Sequence, residues 1–290
     1  MGFRDALKSG RTVITTDVIP PKGTDLSKRL ASLQEISGRV DGINITDMPS
    51  ANLRMSALAM SVKVRELGFD PILQITCRDR NRLSLQAELL GAHVLGVSNL
   101  LLLSGDDVDK SDHPGVKSVF DLGSVTLIEA ARGLEKGHDL GGNAIKGAPD
   151  FCVGAALDPD KEPQGAEIDK AWDKIKAGTE FFQTQPIFDV ASFASFLEKM
   201  GKTEVPIIAG VFLITSAKMA RFFNDNVPGV TIPDNIVREF DESADPLKTG
   251  VEVTARLARE LKEMCAGIHI MMVSDLHNLI PDILKQSRLV

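Results

Sequence analysis

Asp17 lies near the end of one apolar, β-branched run and Asp106 stands three residues past the end of another, so each carboxyl stands where a polar tip meets a buried segment. A carboxyl held in a partly apolar mouth has its neutral form favoured by desolvation, which is what a general acid requires. A structural reading stays open for both: Asp17 capping the turn that follows it, and Asp106 opening a helix. Other runs also end in polar residues. Thr46-Asp47 closes one, Gln74 lies inside another that runs into Thr76-Cys77-Arg78-Asp79, and Ser104-Gly105 precedes Asp106. Asp158-Pro159 and Gln183-Thr184-Gln185-Pro186 end two more. Gly105 permits close approach of backbone to a ligand, although glycine in such a turn is also ordinary turn chemistry.

Something must carry these tips to one place. Eight apolar runs occupy residues 13–19, 42–45, 71–75, 99–103, 151–156, 181–184, 205–211 and 267–271. They are continuous and do not alternate with polar residues, which predicts parallel strands buried on both faces. Between them lie segments of helical spacing: Leu26, Leu30, Leu33 and Ile36 form one stripe, and Ile168, Trp172 and Ile175 another, with Trp172 expected in the core. Eight β-α units over 290 residues predict an α/β fold, a (β/α)8 TIM barrel forming one domain over residues 1–290, with an open doubly wound sheet as the competing topology. In such a barrel chemistry belongs at the C-terminal ends of the strands. Residues 104–123 and 137–150 are long for tight connections and read as lids or mobile segments.

Composition narrows the function. The net charge of −7 disfavours binding to nucleic acid, and no apolar run approaches the roughly 20 residues that span a bilayer. The N-terminus, with Arg4, Asp5, Lys8 and Arg11, lacks a signal-peptide stretch, so a cytoplasmic location is expected. Cys77, Cys152 and Cys265 are far apart and form no Cys-x-x-Cys pair; they read as buried small hydrophobes in a reducing compartment. The histidines His93, His113, His138, His269 and His277 show no ligand spacing, so no metal site is expected. There is no Gly-x-Gly-x-x-Gly after a strand and no P-loop.

The strand ends carry a further pattern. DVIPPKG at 17–23, QITCRDRN at 74–81, LLLSGD at 101–106 and DFCVGAA at 150–156 are followed by KIKAG at 174–178, TQPIFD at 184–189 and PIIAGV at 206–211. In this order, over residues 12–285, the chain resembles the methylenetetrahydrofolate reductase family, flavin-dependent enzymes built on a (β/α)8 barrel. The resemblance implies hydride transfer from reduced flavin to methylenetetrahydrofolate, giving methyltetrahydrofolate in one-carbon metabolism. It aligns Asp17 with the family's proton donor, Asp106 with the aspartate near flavin and pterin, and Gln185 with the amide that orients the pterin. Thr46, Gln74, Gly105, Asp106, Ala156 and Lys174 fall where relatives touch the flavin, FAD in the family, with FMN as the alternative. Lys22 and Lys174 are candidates to neutralise phosphate or the folate tail, or to form a solvated rim.

Four departures from the family pattern bear on function. Asp17 replaces the usual glutamate and is one methylene shorter, so either the backbone sits closer or a water relays the proton. Gln74 stands where many relatives carry histidine, and Ala156 where some carry an aromatic that packs on flavin; the chain has no tyrosine. Near Thr215-Ser216-Ala217 there is no aromatic of the kind found in relatives that take hydride directly from a nicotinamide. The electron donor is therefore NAD(P)H or a metal-containing partner subunit, within a homo- or hetero-oligomer. Two alternatives follow: a catalytically weak flavin barrel serving as the electron-accepting or structural subunit of a larger complex, and a flavin-free aldolase-type barrel. The latter needs a Schiff-base lysine on a strand, and the sequence offers none.

Overall fold

The computed structural model describes residues 2–227, 230–272 and 275–289. Eight strands close a barrel in chain order: β1 (Val13–Val18), β2 (Gly42–Ile45), β3 (Pro71–Thr76), β4 (Asn99–Leu103), β5 (Cys152–Leu157), β6 (Phe181–Pro186), β7 (Ile207–Phe212) and β8 (Gly267–Met271). Every neighbouring pair is parallel, and β1 pairs with β8 to complete the ring. The expected barrel is therefore formed and the open-sheet alternative is excluded. Closure leaves no edge strand, and the strands' continuous apolar runs are covered inside and out.

Helix α1 (Phe3–Lys8) precedes the barrel, and α2 (Ser27–Gln34), α3 (Ala57–Glu66), α4 (Arg82–Val94), α5 (Ser124–Glu135), α6 (Gln164–Ala177) and α7 (Val190–Met200) follow β1 to β6 in turn. Helices α8 (Ala217–Asn226), α9 (Asp234–Asp241) and α10 (Pro246–Leu261) lie between β7 and β8, and α11 (Ile280–Ser287) closes the chain. Side chains facing outward from the strands, such as Ile14, Ile43, Leu102 and Val153, pack with helix residues such as Leu33, Met60, Leu89 and Ile128 in the main core. Among the described residues no helix is long and apolar enough to cross a membrane.

A second, smaller cluster fills the floor of the barrel: Val13, Ile72, Leu101, Cys152, Phe181 and Ile208, sealed by Phe3 and Ala6 of α1. The Phe3 and Phe181 rings meet edge to face, with centroids 5.1 Å apart. Gly154 makes this possible, because a Cβ there would stand 2.2 Å from the Phe181 ring. With the N-terminal end plugged, the C-terminal mouth is the open end of the barrel.

Two helical stripes differ from their expected positions. Leu26 is the residue before α2 and Ile36 lies past its end, although Leu33 and Ile36 are fully buried. On α6 the buried line is Glu167, Ala171 and Lys174, one position away from Ile168, Trp172 and Ile175. Trp172 is half-buried and not a core residue. The reason is chemical: the inner face of α6 borders the barrel mouth and carries a charged pair there, so the apolar stripe rotates toward its neighbours.

Candidate active site

The C-terminal mouth holds a cavity of about 410 Å³, within the range of small-molecule and cofactor sites. Asp17, Thr46, Gln74, Gly105, Asp106, Ala156, Lys174 and Gln185 all line it. Seven of them come from six different strands or their ends and Lys174 comes from α6, so barrel closure brings together residues 168 positions apart. Beneath them lies a polar layer. Thr15 Oγ1 and His269 Nδ1 share a hydrogen bond of 2.9 Å, and Asn44 Nδ2 donates to Gln183 Oε1. Burial drops the His269 pKa to about 3, so its ring is neutral.

Asp17 is on β1, opposite Asn44 of β2 in the ladder. Its Oδ1 accepts from the Met272 backbone N–H at 3.3 Å, and its own backbone carbonyl accepts from His277 Nε2 at 2.9 Å. Burial pushes its pKa up to about 7, more than hydrogen bonding from the backbone N–H groups of Met272 and of Asp17 itself lowers it. A carboxyl with that value is divided between its acid and its base near neutrality. The turn after β1 is not capped by the Asp17 side chain, which turns toward β8 instead.

Asp106 is exposed, and its Oδ2 accepts from the Ser50 backbone N–H at 2.8 Å. It does not open a helix; Asp107 does, accepting from Val108 N–H. Ser50 belongs to a left-handed stretch in which Met48, Ser50 and Ala51 have φ of 46°, 53° and 57°, costly conformations for residues with a Cβ. Asp106 thus holds a strained rim segment. Arg78, 1% exposed, braces the same segment by donating to the carbonyls of Met48 and Asp106 while pairing with Asp79. Asp47 accepts from Thr76 N–H and Oγ1–H and from both terminal nitrogens of Arg80. Asp47 and Arg78 were visible as polar strand-end residues, but nothing in their spacing distinguished bracing from ligand contact.

Gly105 has φ of +92°, and a Cβ there would meet the Cβ atoms of Thr76 and Arg78 at 3.0 and 3.1 Å. Gln185 is exposed at the mouth beside an irregularity in the β6–β7 register, where Gly210 N–H donates to Thr184 Oγ1 in place of a regular ladder bond. The side-chain amides of Gln74 and Gln185 take no partner among the described residues.

Three buried polar atoms in the cavity residues lack partners among the described residues: Thr46 Oγ1, Ser124 Oγ and Asp158 Oδ1. Buried polar groups are normally satisfied, and three of the eight such atoms among the described residues belong to this one cavity, where a ligand would complete them. Burial, reinforced by Glu167 and Asp160, raises the Asp158 pKa to about 6. Lys174 behaves differently. Its ammonium, 3% exposed, donates to the Ala156 carbonyl at 2.6 Å and lies 3.8 Å from Glu167 Oε1. Burial lowers its pKa to about 8 against the opposing pull of Glu167.

The two long connections have different fates. Residues 104–123 are tied to the rim of the mouth: Asp112 pairs with Lys22 and accepts from Leu53 N–H, and Ser111 donates to the Ala51 carbonyl. Lys22 is thus occupied by Asp112. Residues 137–150 lead from α5 into β5 and lie at the opposite, plugged end, where Asp150 pairs with Arg4 of α1; they are not a lid of this cavity. Cys77 and Cys152 are buried and Cys265 half-buried, with thiol pKa values raised by burial to about 11, 12 and 12. None has the character of a nucleophile. Ser216 caps α8 and Ala217 begins it, and neither lines the cavity.

A sequence model of the family described as methylenetetrahydrofolate reductase matches residues 2–288. Methylenetetrahydrofolate reductase 1 of Schizosaccharomyces pombe is 25% identical over 206 residues, 66% of this chain and 31% of that protein. The 5,10-methylenetetrahydrofolate reductase of Pectobacterium carotovorum is 21% identical over 262 residues, 87% of this chain and 80% of its own length. The chain thus spans about a third of the fungal relative's length and four fifths of the bacterial one's. Among solved structures, a protein from Clostridium thermocellum that binds two copies of 5-methyl-5,6,7,8-tetrahydrofolic acid shares the fold. Its TM-score is 0.69 at 18% identity, over 100% of both chains.

Proposed function

The chain belongs to the methylenetetrahydrofolate reductase family, and from that premise we propose that its barrel mouth reduces methylenetetrahydrofolate to methyltetrahydrofolate with a bound flavin. One observation carries the reading: Asp17, Asp106 and Gln185 converge on one cavity, and Asp17 has its pKa raised to about 7. The chemistry asks for that combination. The methylene bridge of the substrate opens to an iminium only when the departing nitrogen takes a proton, and hydride then adds to the iminium carbon. Asp17, held neutral by desolvation, donates the proton and is left as a carboxylate. Gln185 and Asp106 orient the pterin by hydrogen bonding across the mouth.

The residues present fit a flavin. Thr46 Oγ1 and Ser124 Oγ are buried hydroxyls without partners, Gln74 has a free amide, and Gly105 lets the backbone approach. Thr46, Gln74, Gly105, Asp106 and Ala156 are the residues assigned to hold it, with Lys174 acting on Ala156 from behind. The flavin, when bound, supplies the hydride. FAD is the group assigned here, with FMN as the alternative.

Residues 215–217 bring no aromatic to the cavity. That favours electrons arriving from a partner polypeptide over direct oxidation of NAD(P)H, and it supports as a second reading an electron-accepting subunit with weak activity of its own. The test is spectroscopic. The purified protein is expected to be yellow, to bleach on reduction, and to regain colour when methylenetetrahydrofolate is added, with one methyltetrahydrofolate formed per flavin. A protein that bleaches but ignores the folate supports the subunit reading, and a protein that binds no flavin overturns both.

A further inference from the structure

The end of β1 is gripped from outside the barrel by groups that face away from the cavity. His277, in the short 3-10 turn His277–Leu279 before α11, is 2% exposed. Its Nε2 stands 2.9 Å from the backbone oxygen of Asp17. A carbonyl can only accept, so Nε2 carries the proton. In the neutral ring Nδ1 is then an acceptor, and it takes the hydroxyl of Ser32, a buried residue of α2, at 2.8 Å. The hydrogen bonds thus run from Ser32 through the imidazole to the backbone of Asp17.

Two further ties hold the same place. Met272 N–H reaches the Asp17 carboxyl from the end of β8, and Arg29 of α2 donates through Nε to the Ile19 carbonyl at 3.1 Å while pairing with Asp275. Arg29 and Asp275, with Glu35 just past α2, are the charged groups that face His277, and burial outweighs them in favouring its neutral ring. The space enclosed by Asp17, Val18, Ile19, Arg29, Met272, Asp275 and His277 is only about 10 Å³, at the lower bound for one water. At most about one water therefore fits behind Asp17.

We propose that His277, backed by Ser32, is a positioning residue that shields the rear of the Asp17 carboxyl from water and keeps it aimed into the cavity. The proposal deepens the assignment of Asp17 as proton donor and rests on that reading. His277 touches neither substrate nor cofactor in this account. It acts by locking β1, α2 and the segment after β8 together around a single carbonyl.

The test reads Asp17 directly, in protein free of flavin and folate, by the carboxyl carbon signal of 13C-aspartate-labelled material assigned through Asp17→Asn. His277→Ala is expected to lower the Asp17 titration midpoint by about one unit or more, as water enters and the desolvation that raises it is lost. His277→Gln, whose side-chain N–H can reach the position of Nε2, is expected to keep the midpoint within a few tenths of the native value. In the flavin-loaded enzyme, His277→Ala should slow folate reduction roughly tenfold with folate affinity unchanged, and shift the falling limb of the pH profile by the same amount as the carbon signal. An unmoved midpoint in His277→Ala, or an equal drop in His277→Gln, would overturn the proposal. If His277→Ala does not fold, Ser32→Ala decides: a smaller drop in the same direction is expected, and no drop contradicts the clamp. Native titration near 7 in a protein that never reduces folate would contradict the proposed reaction and leave the clamp standing.

Discussion

Lys174 Nζ donates to the backbone carbonyl of Ala156 at 2.6 Å, across the wall of the cavity. Two positions expected from resemblance to touch the same flavin are thus bonded to each other, with Glu167 3.8 Å away on the far side of the ammonium. The pair Glu167 and Lys174, each close to fully buried, makes α6 part of the site's frame.

Lys174→Met is expected to destabilise the fold by roughly 2 kcal/mol, because it leaves the buried Glu167 with only the more exposed Lys161 as its cation and frees the Ala156 carbonyl. The double variant Glu167→Gln/Lys174→Met should recover a large part of the loss; urea unfolding of the three proteins measures both effects. The native chain should also gain stability as pH climbs from about 8 toward 10.5, since over that interval the unfolded lysine still holds a proton that the folded one has released. Lys174→Met should lack that rise.

Gly105→Ala puts a methyl at φ +92° and within 3.0 Å of Thr76 Cβ. A loss of about 1–2 kcal/mol in stability is expected from the left-handed backbone, together with a loss of flavin. Thermal melting and the absorbance of the purified variant report the two separately, and full flavin content would remove Gly105 from the binding surface.

Thr46→Val tests whether the unpartnered hydroxyl belongs to a ligand. Removing a buried hydroxyl with no partner should leave stability unchanged or raise it by up to about 1 kcal/mol, since its desolvation is uncompensated in the protein alone. Flavin affinity should nevertheless fall several-fold. A variant that loses stability and retains affinity would assign Thr46 to the framework.

The pH dependence follows from Asp17. Its folded pKa of about 7 exceeds the ordinary 3.8, so the folded protein holds this proton more tightly than the unfolded chain does. The stability it contributes is complete below 3.8 and is lost as pH rises through about 7. The reduction step, if Asp17 is its acid, is flat below about 7 and falls tenfold per unit above it. Asp17→Asn should remove both dependences.

Much of the architecture was legible because parallel strands buried on both faces leave uninterrupted apolar runs, and Gly42–Ile45, Asn99–Leu103 and Gly267–Met271 begin and end as the runs do. The runs at 181–184 and 205–211 mark their strands less well. Gln185 and Pro186 continue β6 as polar and ring residues, and Val205-Pro206 precedes the first ladder bond of β7. At the site, strand-end polarity gathered the right neighbourhood, but spacing could not tell a residue that faces a ligand from one that braces its neighbours. Asp47 with Arg80, and Lys174 with Ala156, are side chains whose partners lie far off in sequence and meet only on closure. Glu167 and Lys174, two turns apart on α6, did carry a signal: both are charged and fall on the line that proves to face inward.

The account stands or falls on proton donation by Asp17. Reduced flavoprotein, native and Asp17→Asn, mixed rapidly with methylenetetrahydrofolate gives the rate at which flavin colour returns. The account predicts that both proteins bind flavin and are reduced alike, and that the variant recovers its colour at least about a hundredfold more slowly. Equal rates in the two proteins would contradict it.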